Sequence, residues 1–120
     1  MDDMNVAHDN IRATTVTGTS VYNHAGESLG TIEDVVLGKR DGQAKYAIMS
    51  FGGFLGIGEE YHPVPWQSLD YDTNKGGYVV SLTKEQLEGA PRYSRSAEPD
   101  WNDRAYNDRV YSHYGVTPTV

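Results

Sequence analysis

The sequence contains no cysteine. That excludes disulfide frameworks, thiolate zinc sites and thiol nucleophiles together, and it fits a reducing compartment. A basic surplus is missing as well, because the formal net charge is -7 and the pI is about 4.9. The acidity is uneven: residues 1–90 hold six Lys/Arg against thirteen Asp/Glu, whereas residues 91–120 hold four of each. A body that acidic repels phosphate backbones over a Debye length of about 8 Å, so nucleic acid is an unfavourable partner. Long apolar runs are absent too. The most apolar window, residues 46–57, falls short of the roughly 20 residues that a spanning helix needs, and glycines interrupt it. The opening MDDMNVAHDN is acidic and polar where an export signal needs a basic start and an apolar stretch. A cytoplasmic protein with no membrane span is expected.

What remains is a chain of 120 residues, enough for one domain with a modest core. Residues 1–14 are polar and aperiodic and read as a leader. From there, short segments rich in Val, Ile, Tyr and Thr alternate with turn clusters at roughly ten-residue spacing, the pattern of an all-β sandwich or barrel. The expected strands cover 15–22, 29–37, 45–51, 60–66, 69–71 and 78–82. Asp41-Gly42 is a strong hairpin signal between the second and third. Ile32, Val35 and Leu37 all look core-facing, yet the odd step from 32 to 35 would split them across a flat strand. A β-bulge near Glu33-Asp34 restores one facing and bends the sheet. In the third strand both faces are apolar, Tyr46 and Ile48 on one side and Ala47, Met49 and Phe51 on the other, so both need a cover. Pro63 and Pro65 cannot donate ladder hydrogen bonds and place the fourth strand at an edge. Thr83-Lys84-Glu85-Gln86 forms a capping box for a short helix that Gly89 and Pro91 close, which ends the domain near residue 91.

Residues 92–120 change character. They carry a tandem pentad, Asn102-Asp103-Arg104-Ala105-Tyr106 followed by Asn107-Asp108-Arg109-Val110-Tyr111, flanked by Trp101 and Tyr114. Steps of five match neither the helical nor the strand period, so no single apolar face is expected. The tail is expected to be irregular, extended or partly disordered, with docking through its aromatics as the alternative.

The stretch Gly52-Gly53-Phe54-Leu55-Gly56-Ile57-Gly58 invites a test against phosphate-binding loops. Gly53 and Gly58 have P-loop spacing, but Glu59 and Glu60 stand where Lys and Ser/Thr belong. The dinucleotide fingerprint also fails, because its third glycine would fall on Tyr61 and a strand follows instead of a helix. Exposing Phe54, Leu55 and Ile57 would forgo about 1.5–3 kcal/mol each, so they are expected to be buried against the sheet end or a partner. The glycines and Pro65 serve as structural turn residues.

Catalytic constellations are weak throughout. His8, His24, His62 and His113 lack ligand spacing, so no metal and no cofactor is expected. Glu59, Glu60 and His62 could converge, but adjacent strand residues point to opposite faces. Asp70 and Asp72 flank a turn and read as solvated charges. No serine stands in a nucleophile-elbow context. Trp66 reads as core or barrel-mouth packing, or as an interface anchor. In the tail, Arg104 and Arg109 beside aromatics suggest stacking on single-stranded RNA, which Asp103 and Asp108 counteract.

The run GGFLGIGEEYHPVPWQSL, with SLGTIEDVVLGKRDGQAKYAIMSF before it and GGYVVSLTKEQLEGAPRY after it, resembles the PRC-barrel domain over roughly residues 16–93. That is the small barrel shared by the photosynthetic reaction centre H subunit and a ribosome maturation factor. The resemblance implies an open-ended or closed six-stranded β-barrel with a short C-terminal helix that works as an adaptor and not as an enzyme. The chain departs from those members: it shows neither the membrane anchor of the first nor the separate N-terminal RNA-associated domain of the second, and Glu59 stands where members often carry a basic residue. A non-enzymatic protein-interaction module is therefore expected, a homodimer or higher oligomer, because the two apolar faces of the third strand ask for a second layer. Its interaction residues would be Phe54, Leu55, Ile57, Trp66, Met49 and Phe51. The alternative is a ribosome- or RNA-associated assembly factor.

Overall fold

The computed structural model describes residues 10–51 and 60–117. Six strands form one sheet: β1 (Ser20–Tyr22), β2 (Ser28–Leu37), β3 (Ala44–Phe51), β4 (Glu60–Pro65), β5 (Leu69–Asp72) and β6 (Gly77–Val80). Their spatial order is β4-β3-β2-β1-β6-β5, antiparallel throughout except for the parallel β1–β6 pair. The sheet curls into a half-barrel. Its edges, β4 and β5, are joined by a one-turn 3-10 helix, Trp66–Ser68, and do not pair with each other. Of the open-ended and closed barrels that the resemblance allows, the chain forms the open one, with the expected six strands.

Local chemistry explains the curl. The β2–β3 register shifts between Ile32 and Asp34, at the position where the apolar spacing demands a bulge. Gly30 lets β2 press against β3, since a Cβ there would lie 2.0 Å from the Ser50 carbonyl oxygen. Pro63 and Pro65 lie on an edge strand, whose outer side is covered by a bridge in which Tyr61 and Tyr93 exchange backbone hydrogen bonds of 2.9 and 3.0 Å. The first strand is shorter than the sequence pattern suggests. Residues 13–16 form a helical turn, α1 (Ala13–Val16), because Gly18 takes φ 87° and the Thr17 and Thr19 hydroxyls donate back to the Thr14 and Thr15 carbonyls.

The concave side holds an aliphatic core of Val21, Leu29, Ile32, Met49, Val64 and Val80, closed by Leu87 on α2 (Lys84–Glu88). Thr83 and Gln86 form the reciprocal capping box that sequence spacing indicates. The tail differs from the irregular expectation. Residues Arg104–Tyr114 form a helix, α3, which lies on the convex face of β3 and β4. Asp103 caps its start by accepting from the backbone of Ala105 and Tyr106, and Gly115 closes it at φ 68°. An apolar face does exist: Tyr106, Val110 and Tyr114 recur every four residues, with Tyr111 beside them.

Candidate docking surface

Both faces of β3 are filled from within the chain. On the concave side Met49 is fully buried and Ala47 nearly so; on the convex side Tyr46 and Ile48 meet Tyr106, Val110 and Tyr111. The Tyr46 hydroxyl donates to Asn107 Oδ1 at 2.5 Å, and its ring lies 5.5 Å from Tyr111 and 5.7 Å from Trp101. The layer that β3 requires is therefore the chain's own helix, and the face-covering argument for self-association lapses. Met49 is also removed from the expected interaction residues, because a side chain with no exposed surface offers nothing to a partner.

The open seam between β4 and β5 is built differently. Pro65, buried and extended, directs the chain into the 3-10 turn and sets Trp66, half-buried, against Tyr78 at a ring separation of 5.6 Å. Tyr71 on β5 stands opposite Tyr78 in the register and meets its ring edge-on at 5.1 Å. It remains 49% exposed. The three rings form a ledge along an edge strand that, among the described residues, pairs only with β6. On the other face of that strand, Asp70 is exposed and Asp72 accepts from the backbone of Asn74 and Lys75 at the following turn. Trp66 stood out in the sequence as core or barrel-mouth packing or an interface anchor, whereas Tyr71 and Tyr78 became part of the same feature only through their cross-strand pairing.

A family model for the PRC-barrel domain matches residues 8–87. The chain belongs to the PRC-barrel domain family. The helix α3, which covers the convex face, lies beyond the matched span. An uncharacterized protein of Deinococcus radiodurans is 28% identical over 93 residues, which cover 78% of this chain and 30% of that relative. Among solved structures, a putative 16S ribosomal RNA processing protein RimM from Pseudomonas aeruginosa aligns at 16% identity and a TM-score of 0.39, covering 62% of this chain and 45% of that one. The chain thus spans less than half the length of either.

The other sequence-indicated residues scatter. Phe54, Leu55, Ile57, Gly52, Gly53, Gly56, Gly58 and Glu59 lie outside the described residues, as does His8. Phe51 is half-buried and meets the His62 ring edge-on at 5.5 Å. His62 is 1% exposed, and neither ring nitrogen has a hydrogen-bond partner among the described residues. Burial, followed by the nearby Arg92 cation, lowers its pKa to about 4. Glu60 instead pairs with Arg92 at 2.8 Å, and His113 Nε2 lies 2.9 Å from the Gln86 carbonyl oxygen, tying α3 to α2. Among the described residues no three His, Asp or Glu side chains are placed to hold a metal ion, and no helix is long and apolar enough to cross a membrane.

Proposed function

We propose that this PRC-barrel chain is a non-enzymatic, cytoplasmic docking module that holds a protein partner at the open seam of its curled sheet. The observation that carries the reading is the ledge of Trp66, Tyr78 and Tyr71 along the edge of β5, which is unpaired among the described residues. Aromatic side chains combine large buried area with few rotatable bonds, which makes them anchors in protein interfaces. An unpaired edge offers backbone donors and acceptors to an added strand. The partner segment is extended and alternates apolar with basic side chains, since Tyr71 lies on one face of β5 and Asp70 on the other, and the body carries a charge of -7.

Peptide-display selection against the native chain, counter-selected with Tyr71→Arg, tests this. Extended peptides with alternating apolar and basic positions are expected to be retained by the native chain and lost on the variant. Equal retention by both removes the ledge as the docking site. Retention of RNA instead, with affinity falling steeply between low and moderate salt, favours an assembly factor that binds RNA.

A further inference from the structure

A second surface lies across the sheet from the ledge. On the convex side a cavity of about 190 Å³ opens between the β2 bulge and the segment that leads into α3. Ile48 forms its floor, 3% exposed, and the rings of Tyr61 and Tyr93, with centroids 5.6 Å apart, stand at its wall. The bulge turns Glu33 and Asp34 into it from one side, and Glu98 faces it from the other. Three carboxylates around aromatic rings are the ingredients of a cation cage.

The cage already holds a cation of the chain's own. Arg95, on the short 3-10 turn Arg95–Ala97, places its guanidinium 5.5 Å from the Tyr61 ring centroid and donates to the Tyr61 hydroxyl. Yet Arg95 makes no ion pair among the described residues with any of the three carboxylates. Each carboxylate spends one oxygen on a neutral donor instead: Glu33 lies near the Ser50 hydroxyl at 3.2 Å, Asp34 accepts from the Val35 amide at 2.8 Å, and Glu98 accepts from Trp101 Nε1 at 2.7 Å. The lining therefore carries three negative groups against one positive. Tyr93, raised in pKa by burial and then by Glu98, reports the same surplus.

We infer that this cavity is a binding site for an alkyl guanidinium, the side chain of an arginine presented by a partner protein, and that Arg95 occupies it in the absence of that partner. Arg95 sits on the surface, on a single 3-10 turn, so its side chain can yield its place without disturbing the core. An incoming guanidinium gains the same aromatic face together with the free carboxylate oxygens, and its apolar stem covers Ile48.

The test uses N-acetyl-arginine amide as probe and the neutral N-acetyl-citrulline amide as control, read by amide chemical shifts in the full chain. Saturable shifts at Tyr61, Tyr93 and Glu98 are expected with the arginine compound alone. Arg95→Gln, which removes the internal competitor at an exposed position, is expected to tighten binding about three- to fivefold, the factor that fits a surface cation–π contact. Glu98→Gln, which keeps an acceptor for Trp101, is expected to weaken it. Equal shifts with citrulline overturn the proposal, and so does the lack of saturable shifts in a folded Arg95→Gln chain. The native titration against citrulline decides the matter even if a variant misfolds.

Discussion

Inside the curl, β3 meets aliphatic side chains: Val21, Ile32, Val64, Val80 and Leu87 gather around Met49 and carry no polar atoms. Outside it, the same strand meets tyrosines, a tryptophan and an asparagine, held partly by ring contacts and partly by the Tyr46–Asn107 hydrogen bond. Each seam leaves buried polar atoms unpaired among the described residues, both ring nitrogens of His62 on the inner side and the hydroxyls of Tyr106 and Tyr114 on the outer. A buried polar group without a partner costs about 1–3 kcal/mol, so both seams carry such a cost. The comparison teaches that a two-faced strand need not signal oligomerisation. Its second layer can come from the same chain by way of a helix with aromatic anchors.

The sharpest way to break the inner seam is Gly30→Ala. The added Cβ meets a backbone carbonyl and cannot rotate away, so a loss of about 4 kcal/mol or more, or failure to fold, is expected in thermal unfolding. Next comes Met49→Ala, expected to cost about 2–5 kcal/mol, against about 1–2 kcal/mol for Val110→Ala in the outer seam. Hydrogen exchange checks the contrast: Val110→Ala should release protection in α3 while β2 and β3 keep theirs.

Acid probes the inner seam at His62. Because its folded pKa of about 4 lies below the ordinary 6.5, the unfolded chain binds its proton first. The contribution is fully present above pH 6.5 and is lost as pH falls toward 4, up to about 3 kcal/mol in all. Chemical denaturation across that window should show the slope in the native chain and a flatter profile in His62→Phe. The smallest expected effects lie in the outer seam and have opposite signs. Tyr46→Phe loses the bond to Asn107 and should cost about 1 kcal/mol, whereas Tyr106→Phe deletes an unpaired hydroxyl and should be neutral or stabilising by about 1 kcal/mol.

Most of the sheet was legible because its signals are local. The proline pair marks an edge, the odd apolar step at Ile32 demands a bulge, and the Thr83–Gln86 spacing writes its own cap. The failure at residues 13–16 has the same origin in reverse, since a β-branched run there reads as strand while threonine hydroxyls and Gly18 turn the chain. The helix α3 was missed because the pentad hides its face: Tyr106, Val110 and Tyr114 belong to two repeats and a flanking residue. Two signals were nonetheless present, Asp103 before the run and Gly115 after it, spaced for a helix of three turns. The ledge at the seam was half legible, Trp66 through its proline context, and Tyr71 only once the register placed it against Tyr78.

The position of α3 in the chain has a consequence for synthesis. Translation at about 5–20 residues per second delivers β3 and β4 several seconds before the helix that covers them. For that interval Tyr46, Ile48 and Tyr61 stay bare on a sheet whose concave core is also unfinished until Leu87 arrives, so the newborn chain presents a sticky surface that the mature protein conceals.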